Sequence, residues 1–272
     1  MLKKIQVLIL AGGMGTRLHK VVNNVPKPMA QVGNKPFLEY LILVAKQQGF
    51  TTFKILTGYK SEVITSYFGD GSDFGISIDY SHETHPLGTG GAIKSAIINS
   101  CYDRFICMNG DSFFGLDMSS FVERAEQIIS KQDLLGSLSL KYLETSSRYG
   151  AVTLTQNYQI NGFFEKESCE HILINAGVYY FKKEIAEFID DGFCSLEGDS
   201  FPALSKRFLL SGIPSRGNFI DIGIPEDYYA ACNSLNEWVI DSLPCSVCSN
   251  EDDEVKQFDQ FYDSLFRTRG VT

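Results

Sequence analysis

The feature that most constrains this chain is a glycine turn set directly behind its first apolar run. Ile5-Gln6-Val7-Leu8-Ile9-Leu10 reads as a buried strand, and Gly12, Gly13 and Gly15 follow it at once. Glycines let a backbone turn tightly and come close to a ligand. The free N–H groups of such a turn, leading into a helix N-terminus, form an anion site suited to phosphate. Arg17, two residues after Gly15, adds a side chain able to make a two-pronged, charge-assisted contact to phosphate oxygens. A plain strand-to-helix turn would need the glycines alone. The run Gly12-Gly13-Met14-Gly15-Thr16-Arg17-Leu18 favours the anion site over that plainer role.

Short β-branched runs and helical patterns then alternate. A helix is expected from Pro36 to Gly49, with proline near its first turn, Phe37, Leu41 and Val44 along one face, and glycine as the stop. Phe53 to Thr57 reads as a strand, Ser61 to Phe68 as a short helix capped by Ser61, and Ile76 to Tyr80 as a strand. Gly91 to Asn99 reads as a helix, and Arg104 to Met108 as a strand leading into Asn109-Gly110-Asp111. This rhythm implies an α/β fold with a mostly parallel, doubly wound sheet. Ligands on such sheets sit at the carboxyl ends of the strands, where the glycine turn and Asp111 fall. From Gly136 to Phe181 the pattern turns strand-rich, as in Leu138 to Tyr142, Ala151 to Leu154 and Gly177 to Phe181, and is expected to build a second substrate subsite. There is no internal repeat and no low-complexity linker.

The charge pattern narrows the class of partner. The 272 residues carry 24 Lys+Arg against 33 Asp+Glu, a formal net charge of -9, which argues against a duplex-nucleic-acid surface. A pocket for a phosphorylated small molecule needs only a few local cations. Seven widely spaced cysteines, an odd count, fit reduced thiols in a cytoplasmic protein better than a disulfide framework. The apolar run at Ile5 is too short to span a bilayer and lacks a leader-peptide pattern, and no later run reaches the roughly 18 residues needed. The last 41 residues, from Cys232, hold 8 acidic and 3 basic side chains, whereas the other 231 hold 25 and 21. Val255, Phe258, Phe261, Tyr262, Leu265 and Phe266 recur at helical spacing, so residues 239–272 are expected to form an acidic extension. Its amphipathic helix would pack on the core of a domain spanning 1–238, or on a second copy of the chain.

Familiar nucleotide motifs fail on spacing. Gly13-x-Gly15-x-x-Leu18 lacks a third glycine, no acidic residue closes a second strand near Thr57, and no G-x-x-x-x-G-K-S/T run exists. Pro26-Lys27-Pro28 stiffens the backbone around a lysine, which suits a cation held opposite a phosphate, although an exposed loop lysine is the plainer role. Asp111 ends a strand and Asp221 sits between Ile220 and Ile222 before Gly223. Such a pair could bind Mg²⁺, which borrows further ligands from phosphate oxygens, although turn or cap roles are commoner for a single Asp. Lys166 beside Glu165 could be an exposed ion pair. His82-Glu83-Thr84-His85 is not H-E-x-x-H and reads as a loop, and the single Cys245-Ser-Val-Cys248 lacks the partners a zinc site needs. Trp238 and Tyr179-Tyr180-Phe181 read as core or strand residues.

Seven motifs occur together in one order: Gly12-Gly13-x-Gly15-Thr16-Arg17-Leu18, Pro26-Lys27-Pro28, Pro86-Leu87-Gly88-Thr89-Gly90-Gly91-Ala92, Asn109-Gly110-Asp111, Glu165-Lys166, Asn175-Ala176-Gly177 and Asp221-Ile222-Gly223. As a set they resemble the sugar-1-phosphate nucleotidylyltransferases over about residues 5 to 231. The fold this implies is Rossmann-like, a mixed sheet with a small β-rich sugar-binding portion. Within the family, Lys35-Pro36-Phe37-Leu38-Glu39-Tyr40 and the Pro86 run are most similar to the D-glycero-α-D-manno-heptose 1-phosphate guanylyltransferases. The resemblance implies GTP and heptose 1-phosphate as substrates, Mg²⁺ as cofactor, and a place in nucleotide-sugar and surface-polysaccharide synthesis. Mannose-1-phosphate guanylyl transfer, or thymidylyl, cytidylyl or uridylyl transfer, stays open, as does a regulator that binds nucleotide-sugar without catalysis.

The resemblance also implies roles. Leu10, Ala11, Gly12, Gly13, Gly15 and Thr16 would wrap the triphosphate. Arg17 would hold the departing pyrophosphate and Lys27 the α-phosphate. Gly88 and Thr89 would lie on the loop that approaches the base, and Asp111 and Asp221 would share Mg²⁺. Gly110, Gly150, Glu165, Lys166, Asn175, Ala176 and Gly177 would form the sugar-phosphate site. The attacking phosphate is already ionised, so no general base and no covalent nucleophile is expected.

Overall fold

The computed structural model describes residues 4–18, 21–22, 24–146, 148–164 and 169–241. In chain order the elements are β1 (Ile5–Ala11), β2 (Gln31–Val32), β3 (Lys35–Pro36), α1 (Phe37–Gln47), β4 (Thr52–Thr57), α2 (Ser61–Phe68), β5 (Ser77–His82), α3 (Gly88–Ile98), β6 (Arg104–Asn109), β7 (Ser112–Phe114), α4 (Met118–Gln132), β8 (Gly136–Ser146), β9 (Ala151–Leu154), β10 (Ile160–Phe164), β11 (Cys169–Lys182), α5 (Phe201–Ser205), β12 (Leu210–Ser215), β13 (Phe219–Asp221) and α6 (Pro225–Asp241).

Alternate side chains of β1 enter two different cores. Val7 and Ile9 join a cluster with Leu38 and Leu41 of α1, Ile64 of α2, Phe121 and Ala125 of α4 and Leu235 of α6. Leu8 joins the opposite cluster with Ala92, Ile93 and Ala96 of α3 and with Tyr179 and Phe181 of β11. A strand buried on both faces must be largely apolar, which explains the run at its position, broken only by Gln6. β1 pairs in parallel with β4 and β6, and β4 in parallel with β5. Helices therefore cover both faces of a parallel half, as the alternation predicts.

The β-rich half is joined to this one through a single strand. β11 runs antiparallel to β6 through Val178–Lys182 and antiparallel to β9 through Leu173 and Ile174. Along its other edge it pairs with β8, which runs parallel to β12. The β11–β8 register shifts between Asn175 and Tyr179, and Gly177 there has φ 77°. A β-bulge with glycine in a left-handed conformation bends a strand and increases its twist. That bend takes β11 from the edge of β9 to the edge of β6.

Several local expectations are corrected. Ser61 does not cap α2: the residue ahead of the helix is Lys60, left-handed at φ 50°, with no side-chain cap bond. Gly88 and Thr89, expected on a loop, form the first turn of α3. Three helices absent from the expected pattern are present, α4, the short α5 and α6. α4 buries Met118, Phe121, Val122, Ala125 and Ile129 along one face, and Asp117 Oδ1 accepts bonds from Ser119 N (2.9 Å) and Ser120 N (3.0 Å) at its start. α6 carries the chain past 238 to Asp241, with Trp238 packed on the core from a helix rather than a strand. The expected helix over 255–266, with Cys245 and Cys248, lies outside the described residues. No described helix is long and apolar enough to cross a membrane. Asp117→Ala removes both cap bonds at an exposed position. It is expected to lower unfolding free energy by about 1 kcal/mol in urea titrations, with the slope unchanged.

Candidate active site

The carboxyl ends of β1, β4 and β6 open into one cleft of about 560 Å³. One wall is the glycine turn, from Leu10 through Gly15 to Arg17, with Lys27 and Asp111 at the floor. The other wall is Gly58, Tyr59 and residues 83–86, closed by Gly88, Thr89 and Phe193. Asn109 and Gly223 complete the lining.

At the floor, Lys27 Nζ lies 2.6 Å from Asp111 Oδ2 and 3.3 Å from Asp221 Oδ1. These carboxylates are 84 and 194 residues from Lys27 along the chain. Each is placed by local structure. Asp111 follows Gly110, whose N–H donates to Leu10 O (2.9 Å), and Asp111 O accepts from Ile222 N (3.0 Å). Asp221 ends β13, which pairs antiparallel with β7 so that Asp221 stands opposite Ser112. Gly223 N–H donates to Asp221 Oδ1 (2.7 Å) and fixes the carboxylate. The Lys27 side chain is only 8% exposed, against 38% for Asp111 and 24% for Asp221. A buried ammonium is tolerated only with such partners, and removing one leaves a charge uncompensated.

The turn above packs directly on this lysine. Gly15 has φ 60°, and a Cβ built there would lie 2.8 Å from Lys27 Cβ. Both the backbone conformation and the space exclude a larger residue. Arg17 is exposed, in the cleft lining beside the turn. Thr16 opens a short 3₁₀ turn, Thr16–Leu18.

The segment His82-Glu83-Thr84-His85, read above as an ordinary loop, forms part of the cleft wall. Glu83 N–H donates to Thr57 O (2.9 Å), and Glu83 Oε2 accepts from Leu87 N (3.1 Å). Burial pushes the Glu83 carboxyl above its ordinary range, opposed by the Leu87 N–H bond. Nothing in the residue spacing marks this position, because the wall forms only when β5 ends beside β4. Glu197 is a second residue the motifs do not reveal. Its Oε2 accepts from Thr89 Oγ1 (2.9 Å), and Thr89 Oγ1 in turn accepts from Leu196 N (2.8 Å).

On the far side of β6, the bulge of β11 presents Asn175, Ala176 and Gly177. A Cβ on Gly177 would approach Asn109 Nδ2 to 3.0 Å, so the bulge lies against the cleft-lining asparagine. Gly150 precedes β9 and packs on Phe164, whose carbonyl oxygen would be 2.6 Å from a Cβ there. Glu165 and Lys166 lie outside the described residues. The structure thus gathers Leu10, Ala11, Gly12, Gly13, Gly15, Arg17, Lys27, Gly88, Thr89 and Asp111 around one cleft, with Asp221 joined through Lys27. Gly150 is not among the residues lining that cleft. Among the described residues no three His, Cys, Asp or Glu side chains cluster as a metal site.

A cleft of this kind, with a glycine turn, a buried cation and paired carboxylates, coincides with a family match over nearly all the described residues. The family described as nucleotidyl transferase matches residues 6–237. The chain belongs to that family.

Its likeness to individual nucleotidyl transferases is extensive. It is 41% identical over 239 residues to the D-glycero-α-D-manno-heptose 1-phosphate guanylyltransferase of Aneurinibacillus thermoaerophilus, covering 86% of this chain and 100% of that protein. The enzyme of the same name from Campylobacter jejuni is 38% identical over 228 residues, covering 82% of this chain and 97% of that one. The crystal structure of HddC from Yersinia pseudotuberculosis complexed with GMP-PN superposes with a TM-score of 0.74 at 34% identity, covering 85% of this chain and 99% of that one. In this nucleotidyl transferase the Gly15–Lys27 contact carries a direct test. Gly15→Ala is expected to cost at least about 1 kcal/mol of stability from the left-handed backbone alone. Urea unfolding measures that loss, and calorimetry should show weaker nucleoside triphosphate binding.

Proposed function

We propose that the chain transfers GMP from GTP to D-glycero-α-D-manno-heptose 1-phosphate, releasing pyrophosphate and forming GDP-heptose. The observation that carries the reaction class is the Lys27–Asp111–Asp221 cluster beneath the glycine turn. The choice of GTP and heptose is supported by the full-length likeness to two guanylyltransferases of that name. A cytoplasmic place, in nucleotide-sugar supply for surface polysaccharide, is part of the same proposal and is supported by the free thiols of Cys101, Cys107, Cys194 and Cys232.

The residues present fit Mg²⁺. Two carboxylates already converge on one cationic point, Lys27 Nζ, and a hard divalent ion takes one or two protein carboxylates and fills its octahedron from phosphate and water. Asp111 and Asp221 would hold it. Mg²⁺ bound there would neutralise charge on the triphosphate and orient its α-phosphate.

The chain's own groups do the rest. Both substrates are polyanions, and the sugar-phosphate oxygen must be held in line with the α-phosphorus, opposite the bridging oxygen to the β-phosphate. That P–O bond breaks as the new one forms, and pyrophosphate carries the electron pair away. Backbone N–H groups of Gly12 to Gly15 bind the triphosphate, and Arg17 follows the charge onto pyrophosphate. Lys27 leaves its carboxylates for the α-phosphate, where charge grows in the transition state. Asn175 to Gly177, with Gly150, Glu165 and Lys166, hold the sugar phosphate. Such positioning and fixed charge supply several kcal/mol of the barrier without a nucleophile on the protein.

Lys27→Ala and Asp111→Ala are each expected to lower kcat by about a hundredfold or more, with circular dichroism unchanged. Near-normal turnover in either purified variant would defeat these roles. Pyrophosphate release, assayed with four nucleoside triphosphates against heptose, mannose and glucose 1-phosphates, is expected to be fastest with GTP and the heptose. Binding of nucleotide without release for every pair would point to a non-catalytic protein instead.

A further inference from the structure

Two glycine-rich segments face the same cleft. One is the turn from Gly12 to Gly15, and the other is Gly88-Thr89-Gly90-Gly91, the first turn of α3. A helix start offers free N–H groups and the positive end of a dipole, so α3 could hold phosphate as well as the glycine turn does. A triphosphate settled on α3 would lie away from Lys27 and Asp111, bound but unable to react. The structure treats the two segments differently. Beside the glycine turn the charged side chains are cations, Arg17 exposed next to it and Lys27 packed under Gly15. At α3 the donors are already taken. Gly90 N (2.8 Å) and Gly91 N (3.3 Å) both donate to Cys194 O, and Leu87 N donates to Glu83 Oε2 (3.1 Å). The two segments fit closely: a Cβ on Gly88 would come within 2.4 Å of Cys194 O, and one on Gly91 within 2.3 Å of Gly192 O.

The segment that closes α3 also brings a charge. Leu87, the residue ahead of the helix, makes no side-chain cap bond. Glu197, 108 residues beyond Thr89, stands there instead. Its Oε2 accepts from Thr89 Oγ1 (2.9 Å) and Ser195 Oγ (3.4 Å), and its Oε1 accepts from the Tyr179 hydroxyl (3.3 Å). Three hydroxyls hold the carboxylate, and none of them neutralises it. Asp190, Asp191 and Asp199 lie in the same stretch. Asp191 is paired with Lys94 Nζ (2.6 Å), and Asp199 Oδ2 accepts from Ser195 N (2.8 Å) rather than from α3. A negative charge at a helix start is favoured by the dipole, and once seated it opposes the approach of a second anion.

We propose that Glu197 is a positioning residue that orients the nucleotide: its carboxylate, seated on the first turn of α3, turns the triphosphate away from that helix start and toward the glycine turn. This rests on the placement of the triphosphate given under the proposed function. A nucleotide bound the wrong way round occupies the enzyme without reacting. Because kcat/KM compares free enzyme with the transition state, such a dead-end complex lowers kcat and KM by one factor and leaves their ratio alone. A residue that merely held the fold together would not produce that pattern.

Glu197→Gln removes the charge and keeps the shape and an acceptor for Thr89. Calorimetry with inorganic tripolyphosphate, a probe that has no base, is expected to show binding tightened by about fivefold, the worth of one charge at a helix start. In pyrophosphate-release kinetics, kcat and KM for GTP are expected to fall together by about threefold, with kcat/KM unchanged. Asp199→Asn, which removes an equal charge from the same segment but not from α3, should alter neither measurement. Thr89→Val unties the carboxylate without neutralising it. It should give the same pattern more weakly, and it carries the test if Glu197→Gln fails to fold. Unchanged or weaker tripolyphosphate binding overturns the orienting role, as does a fall in kcat with KM unchanged or raised, or an equal effect from Asp199→Asn. The tripolyphosphate measurement needs no turnover, so a wild-type protein that releases no pyrophosphate from any nucleoside triphosphate overturns the proposed reaction while Glu197 is still judged by binding.

Discussion

Everything in the cleft depends on one ammonium group having two carboxylates to face. Lys27 comes from a proline-stiffened loop, Asp111 from the end of a parallel strand, and Asp221 from a short strand near the end of the domain. Their meeting point is nearly dry at the lysine and half-open at the acids. That gradient matters for the chemistry. A cation held by partners on the solvent side can exchange them for phosphate oxygens without a passage through apolar surroundings. The three charges of the cluster sum to one negative, so the lysine does not fully neutralise the two acids.

The second organising constraint is the bulge in β11. Without the register shift at Asn175–Tyr179 the strand would continue along β9, and the antiparallel portion would stand apart from the parallel half. With it, Gly177 packs on Asn109, and the bulge meets the cleft lining across one strand end. The bond network from Thr89 through Glu197 and Tyr179 to Asn175 crosses the same seam. A buried hydroxyl with a donor role to one side and acceptor roles to the other is a rigid joint, since reversing any member leaves a group unpaired.

Much of this was legible along the chain. β1, β4 and β6 are largely apolar because both faces are covered, and the helix after Pro36 shows its face at Phe37, Leu41 and Val44. The glycine turn and Lys27 carry residue types whose chemistry is local, and both line the one cleft at the strand ends. Helices α4 and α6 were equally written in the residues, as Asp117 before an apolar period and as Pro225 with Glu226 and Asp227 in a first turn. Glu83 and Glu197 were not. An exposed-looking acidic residue in a polar loop has no spacing signature, and only the neighbour across the cleft makes it part of a wall.

What the linear chain determined by itself was the set of elements and the identity of the charged groups, because periodicity, glycine and proline act within a few residues. What the tertiary structure alone decided was which of those groups share a point in space. Asp221 reaches Asp111 through the pairing of β13 with β7, and Glu197 is brought to both Tyr179 and Thr89. Both depend on contacts between segments far apart in sequence, where no short-range preference operates.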